Sequence, residues 1–273
     1  TALFVDPYYA TYPGTIRAAS ANPVAIKASA KSGFQPRAED FGDAAKTAVS
    51  LLINTPNNPT GVVYSKQTLE GIAQVCIEND LWLISDEVYD SQIWKGQHIS
   101  PRSLDGMVDR TLVVGSVSKS HAMTGSRIGW VVGPENIIAH LQNLSTHTNS
   151  GVAGFIQYAA VAALKLGPEF EAKISEPFRR RRDIALRIVA KSNIVTAIPA
   201  NGSMYVMLDV RATGLSGDAF ANQLLDTHKI AVMPGESFGN AASGHIRVAL
   251  TVDDARLAEA LETLIEFAEN LSK

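Results

Sequence analysis

The sequence predicts an α/β protein: a mostly parallel sheet with helices on both faces, followed by a smaller C-terminal α+β domain. Three observations lead there. Short apolar runs without polar alternation recur through the first half, the pattern of strands buried on both faces. Segments with helical apolar spacing separate them, giving the strand–helix–strand order of a parallel sheet. After Pro134 the order changes to successive helices and then strands mixed with helices. The expected division is 1–167 for the larger domain and 168–273 for the smaller.

The elements follow in order. LFV (3–5) reads as a strand ending at Asp6-Pro7, and PVAIKAS (23–29) as a second. AVSLLIN (48–54) is a buried strand stopped by TPNNPTG. SKQTLEGIAQVCIEND (65–80) is a helix with Ser65 as its N-cap and Cys76 in its core face. LWLIS (81–85), TLVVGS (111–116) and RIGWVVG (127–133) are further strands. PENIIAHLQNL, GFIQYAAVAALKLG and PEFEAKISEPFRRRRDIALRIVAKS read as helices, the last with Pro177 as a candidate kink. SMYVMLDV, a helix near 216–228, KIAVMPG, HIRVALT and the amphipathic DDARLAEALETLIEFAENLS complete the chain. The run Arg179–Arg182 reads as a solvated helix face or an oligomer contact.

Composition narrows the function. The 273 residues are 46% hydrophobic and 19% charged, ordinary for a globular protein. No apolar run approaches the roughly 20 residues of a membrane span. A net charge of −3 argues against a nucleic-acid or membrane footprint. The single cysteine, Cys76, excludes an internal disulfide and a cysteine metal cluster, and no signal-peptide pattern opens the chain, so the cytoplasm is the expected compartment.

In an open parallel sheet, ligands bind beyond the carboxyl ends of strands. Three such ends carry polar residues: Asn57-Asn58-Pro59-Thr60-Gly61, then Asp86-Glu87-Val88-Tyr89, then Ser116-Val117-Ser118-Lys119. Arg127 returns to the same region if the intervening loop folds back. Singly, each has an ordinary explanation: Asn58 a turn, Asp86 a helix cap, Tyr89 core, Lys119 and Arg127 surface. Jointly, on neighbouring strands, they place an amide, a carboxylate, a phenol and cations in one crevice. Lys119 also has no acidic residue within nine positions on either side.

Pyridoxal phosphate chemistry wants this set. An amine forms a Schiff base with the aldehyde, which suits Lys119. A carboxylate keeps the pyridine nitrogen protonated, which suits Asp86. The ring oxygen needs an amide and a phenol, Asn58 and Tyr89. The phosphate needs an arginine and hydroxyls, Arg127 with Ser116 and Ser118.

NNPTG (57–61), SDEVY (85–89) and SVSKSHAMTGSRIGW (116–130), in this order and spacing, resemble the signatures of class I/II aminotransferases, fold-type I enzymes dependent on pyridoxal 5'-phosphate. The resemblance runs from Asp6 to the C-terminal helix. It implies that Lys119 is the Schiff-base lysine and the proton shuttle, that Asp86 pairs with the pyridine nitrogen, and that Asn58 and Tyr89 contact the ring oxygen. Ser116 and Arg127 would hold the phosphate. Tyr9 in DPYYATYP matches the aromatic stacked on the ring, with Tyr8 as the neighbouring choice. Arg247 in GHIRVAL matches the arginine that takes the substrate α-carboxylate, with Asn58 beside it. PGESFG (234–239) resembles a segment lining the substrate pocket, and Met204 and Tyr205 match a pocket-side strand.

The implied reaction is a ping-pong transamination between an L-amino acid and a 2-oxo acid through a lysine internal aldimine, in a homodimer. STHTNSG (145–151) would approach the neighbour's phosphate site. Family members carry a segment ahead of the position where this chain opens. That segment supplies part of the small domain, a glycine-rich phosphate-binding helix start and residues reaching the partner's site, and phosphate binding would weaken without it. Two alternatives stand beside this reading. One is a carbon–sulfur β-lyase, or other carbanion chemistry on the same cofactor. The other is an aminotransferase-like regulator domain joined to a DNA-binding helix-turn-helix.

Overall fold

A six-stranded sheet, buried most fully on one face of its middle strands, organises the larger half of the molecule. A computed structural model describes residues 1–271. The chain begins with strand β1 (Ala2–Asp6), helix α1 (Tyr12–Ala18), β2 (Pro23–Lys27), the short α2 (Gly42–Lys46), β3 (Ser50–Asn54) and α3 (Lys66–Glu78). It continues through β4 (Trp82–Asp86), β5 (Thr111–Ser116), the single turn α4 (Val117–Ser120) and β6 (Gly129–Val132). These strands form one sheet in the order β2-β1-β3-β4-β5-β6. All neighbours are parallel except β5 and β6, which are antiparallel. Leu3, Leu51 and Leu83, register partners on one face of the sheet, are fully buried, whereas Leu52, Ile84 and Leu112 on the other face are only partly buried, although these strands carry apolar residues on both faces.

Local chemistry sets the ends of the elements. Ser65 Oγ accepts the Thr68 backbone N–H and so caps α3. The left-handed backbone of Arg127 (φ 51°) holds the β5–β6 connection in a turn, so β6 starts at Gly129 rather than at Arg127. The antiparallel return of β6 brings that turn back to the end of β5.

The second half contains α5 (Glu135–Thr148), α6 (Gly154–Leu164), α7 (Gly167–Val189), β7 (Thr196–Ala197), β8 (Tyr205–Asp209), α8 (Gly217–His228), β9 (Met233–Pro234), β10 (His245–Ala249) and α9 (Asp254–Leu271). The four strands form an antiparallel sheet in the order β7-β8-β10-β9. Phe220 and Leu224 of α8, Leu257 and Leu261 of α9, and Ala185 and Val189 of α7 pack against Val206, Leu208, Ile246 and Val248. Met207, on the opposite face of β8, joins Phe238 in the core of the first sheet, so the two halves share packed surface.

Several expectations change in detail. The helix containing Pro177 runs unbroken from Gly167 to Val189. KIAVMPG yields only the two residues of β9, because Pro234 has no N–H to extend the ladder and the chain turns at Gly235. Ser272, placed in the last helix by its periodicity, lies with Lys273 outside the described residues. The Arg179–Arg182 run is only partly a solvated face. Arg180 and Arg181 both reach Asp254 at the start of α9, and Arg181 also donates to the Leu250 carbonyl at 3.1 Å. These arginines tie α7 to α9.

Leu83 sits fully buried in the central strand β4, so Leu83→Ala should cost about 3 kcal/mol. The check is a lower urea midpoint at unchanged m-value.

Candidate active site

Parallel pairing levels the ends of three strands. Asn54 pairs with Asp86 and Asp86 with Val114, so β3, β4 and β5 open onto one crevice. The Asn54 side-chain amide donates to the Asp86 carbonyl at 3.0 Å, locking two of those ends together.

The Asn57–Gly61 turn is held by its own side chains. The Thr60 hydroxyl donates to Asn57 Oδ1 at 2.6 Å, and the Asn58 N–H donates to Asn54 Oδ1 at 2.8 Å. Gly61 has φ +74°, and a Cβ there would stand 2.6 Å from the Tyr205 carbonyl oxygen. Glycine therefore permits β8 of the second sheet to approach the end of β3. Backbone N–H groups of Asn201 and Gly202 both donate to the Gly61 carbonyl, at 2.8 and 2.9 Å.

A cavity of about 380 Å³ occupies the crevice. Tyr9, Asn58, Asp86, Tyr89, Ser116, Ser118, Lys119 and Arg127 all line it, joined by Tyr12, Asn54 and Tyr205. Of the aromatic pair at the end of β1, Tyr9 faces the cavity, whereas Tyr8 packs edge-on against Phe4. Arg247 is the one expected site residue that does not line the wall. It stands behind it, donating from Nη1 to Asn58 Oδ1 at 2.8 Å.

Asp86 carries the clearest electrostatic signature. Burial pushes its carboxyl above the usual aspartate range. The Tyr12 hydroxyl, the Val88 N–H and Lys119 pull it back down, while Glu87 adds to the rise. The Tyr12 bond to Oδ2 is short, 2.6 Å, and Val88 N–H lies 3.3 Å from Oδ1. Burial and the neighbouring Asp86 likewise raise the Tyr12 phenol. Glu87, next in sequence, points elsewhere, toward His98 Nε2 and Ser100 Oγ at 2.8 Å each.

Lys119 follows one turn after β5. Its Nζ lies 5.9 Å from the centroid of the Tyr89 ring, and among the described residues it forms no ion pair within 4 Å. Tyr89 is buried, and that burial raises its phenol, with Tyr205 adding to the effect. At the other end of the cavity Ser116 Oγ donates to the Ile128 carbonyl at 2.9 Å and accepts the Ser118 N–H at 3.0 Å. Arg127 is exposed there, its guanidinium donating to Thr124 O at 2.8 Å. A further space of about 660 Å³ adjoins this end.

Arg247 is clamped between rings. Its Cζ lies 4.3 Å from the Tyr205 centroid and 4.5 Å from that of Phe238. Burial lowers its pKa, and its buried Nε has no hydrogen-bond partner among the described residues. Among the described residues the site thus holds a buried carboxylate and a buried guanidinium, neither in an ion pair at contact distance.

These groups fit pyridoxal 5'-phosphate and an amino-acid carboxylate. Asp86 could supply the counter-charge for a protonated ring nitrogen, and Lys119 an amine outside any ion pair among the described residues. Ser116, Ser118 and Arg127 could supply donors for a phosphate. The unpartnered Arg247 Nε could supply a donor for a carboxylate.

The sequence does not mark Tyr12 as a site residue. Its signal is spacing alone: Tyr12 follows Tyr9 by three residues, one helical turn, and their rings meet edge-on at 5.7 Å. Phe238 was noted only as part of a pocket segment, and its place against Arg247 depends on a fold of the chain between them.

Removing the Tyr12 hydroxyl should raise the Asp86 carboxyl further. A carboxyl raised on folding stabilises the fold below its unfolded pKa and loses that contribution as pH rises through the folded value. Tyr12→Phe extends that loss to higher pH. The variant should be about 2 kcal/mol less stable at neutral pH, with the gap narrowing in acid, as read from urea midpoints across pH.

The sequence model described as "Aminotransferase class I and II" matches residues 1–264. The arginine–pyruvate transaminase of Pseudomonas aeruginosa is 42% identical over 271 residues, covering 98% of this chain and 69% of that protein. The crystal structure of an aromatic aminotransferase from Pyrococcus horikoshii superposes with a TM-score of 0.94 at 31% identity, covering 98% of this chain and 72% of that one. A double mutant of Thermus thermophilus aspartate aminotransferase gives 0.90 at 32% identity, covering 98% and 69%. Matched over nearly its whole length in sequence and in fold, the chain belongs to the class I and II aminotransferases, transaminases that work with pyridoxal 5'-phosphate.

Proposed function

We propose that the protein transfers the amino group of an L-amino acid to a 2-oxo acid, alternating between the two substrates, with Lys119 as the acid–base centre. The observation that carries this reading is the placement of Lys119 and Asp86 in one cavity, with Arg247 one layer behind Asn58. Asp86 would hold the positive charge of the cofactor's ring nitrogen. Tyr89 and the amide of Asn58 would donate to the ring oxygen, and Tyr9 would cover the ring. Ser116, Ser118 and Arg127 would receive the phosphate. When bound, the cofactor supplies an electron sink for the charge left at the substrate Cα.

The chain's own groups supply the rest. Lys119 Nζ lifts the proton from the substrate Cα and returns it on the same side of the cavity. Arg247 fixes the α-carboxylate through its unpartnered edge, while Asn58 holds the opposite edge of the guanidinium. Both substrates carry that carboxylate, so one arginine serves both halves of the exchange.

The division into a cofactor-binding unit (1–167) and a smaller unit (168–273) is part of this reading, supported by the two sheets and their separate cores. So is a homodimer. Helix α6 is apolar nearly all round, yet Phe155 and Tyr158 are 74% and 80% exposed, which suits a face covered in an assembly. A cytoplasmic setting, supported by the lone buried Cys76, completes it. The arginine and pyruvate named for the Pseudomonas relative head the substrate panel, followed by aspartate and the aromatic amino acids.

Two variants test the assignment. Lys119→Ala should abolish the visible absorbance band that wild type gains with pyridoxal 5'-phosphate and should cut turnover at least a thousandfold, on the order expected for loss of a covalent and acid–base group. Retained turnover would sink it. Arg247→Ala should raise KM for donor and acceptor alike, on the order of a hundredfold, and leave the absorbance band in place.

A further inference from the structure

A second buried carboxylate lies away from the cavity wall. Asp6, the last residue of β1, is 4% exposed. Both of its oxygens lie within hydrogen-bond reach of the Ala241 backbone N–H, at 3.1 and 3.2 Å, and the Asn240 N–H also favours its charged form. Burial pushes the other way and raises the carboxyl overall. Lys27, its register partner on β2, is the charged neighbour that lowers it. A buried carboxylate is costly unless donors and a cation offset its lost hydration, and here the donors are the backbone N–H groups of Asn240 and Ala241.

The segment that Asp6 holds is the one next to Arg247. Gly239 has φ +116°, and any Cβ there would overlap Asp6 Oδ1 and press on the Tyr8 ring. Tyr8 N–H donates to the Phe238 carbonyl at 2.9 Å, so the end of β1 and the residues after it grip this turn at two points. Phe238 is 2% exposed and forms one of the two ring faces against the Arg247 guanidinium. The chain of contact runs from Asp6 through the 239–241 turn to Phe238, and from Phe238 to Arg247.

We propose that Asp6 is a positioning residue for substrate carboxylate binding: by pinning the 239–241 turn to the end of β1, it keeps Phe238 closed over Arg247. This rests on the reading of Arg247 as the carboxylate-binding residue. Asn58 touches only Nη1, so a single bond leaves the guanidinium free to swing about it. The Tyr205 and Phe238 rings, 4.3 and 4.5 Å from Cζ, limit that swing. If the turn lifts, that limit is lost, and both substrates bind more weakly. The groups facing the cofactor, Lys119 and Asp86, stay where they are.

The test uses the cofactor-loaded protein with L-arginine and pyruvate, or the pair that turns over fastest in the panel. Asp6→Asn keeps the shape but presents an amide with donors of its own to the turn. Gly239→Ala lifts the same turn from the opposite side without altering charge, and it carries the test if Asp6→Asn does not fold. Each should raise both KM values about tenfold with kcat within about threefold of wild type and the absorbance band unchanged. Amide hydrogen exchange should quicken over residues 236–244 and stay unchanged in β3 and β4.

Unchanged KM values alongside faster exchange in 236–244 would overturn the proposal. So would a fall in kcat alone, or a quickening of exchange throughout, either of which marks a merely structural residue. Arg247→Ala separates the two levels. If it leaves KM unaltered, the carboxylate assignment itself fails. If it raises KM while Asp6→Asn and Gly239→Ala do not, only the role of Asp6 fails.

Discussion

The parallel register of β3, β4 and β5 is the constraint on which the site depends. Side chains alternate across a sheet with a period of two, so a one-residue slip of β4 would turn Asp86 to the opposite face. Its register is held from several sides. Leu51, Ile53 and Leu83 are buried in the core, and the Asn54 amide bonds the Asp86 carbonyl. Tyr12, arriving from α1, closes on the carboxylate itself. A small set of apolar contacts thus determines where a charge lies.

The second sheet completes the site through close backbone approach. Gly61 lets β8 come against the end of β3, and Arg247 on β10, the neighbour of β8, then reaches Asn58. The outcome is a crevice with a strained charge on either side. Burial makes Asp86 hold its proton more tightly and Arg247 hold its proton less tightly than either would in water. Among the described residues, neither charge has a neighbour of opposite sign at contact distance. A ligand that is cationic at one end and anionic at the other offsets both costs together, whereas a neutral molecule of the same size offsets neither.

Much of this was legible in the sequence, for identifiable reasons. Asp86 and Lys119 stand out because each follows an apolar run long enough to be a buried strand. Asn58 stands out for its turn chemistry, and Arg247 for lying between Ile246 and Val248. What stayed hidden depends on distant parts of the chain meeting. Tyr12 finds its partner 74 positions away. Phe238 meets Arg247 across nine positions, in a turn whose backbone bonds Asp6 and Tyr8 at the far end of the chain. The arginines of α7 look solvated until Asp254 is placed next to them. Helices α1 and α2, of seven and five residues, are too short to display a period.

The two-ring clamp has a stereochemical corollary. A guanidinium with a fixed plane dictates the direction in which a bound carboxylate points, and in the proposed arrangement the amine of Lys119 approaches from a fixed quarter. With the amino nitrogen committed to the cofactor, only one mirror image of an amino acid can then turn its Cα–H toward that amine. Chiral discrimination would arise from two rigid anchors on separate sheets, with no contact to the side chain required.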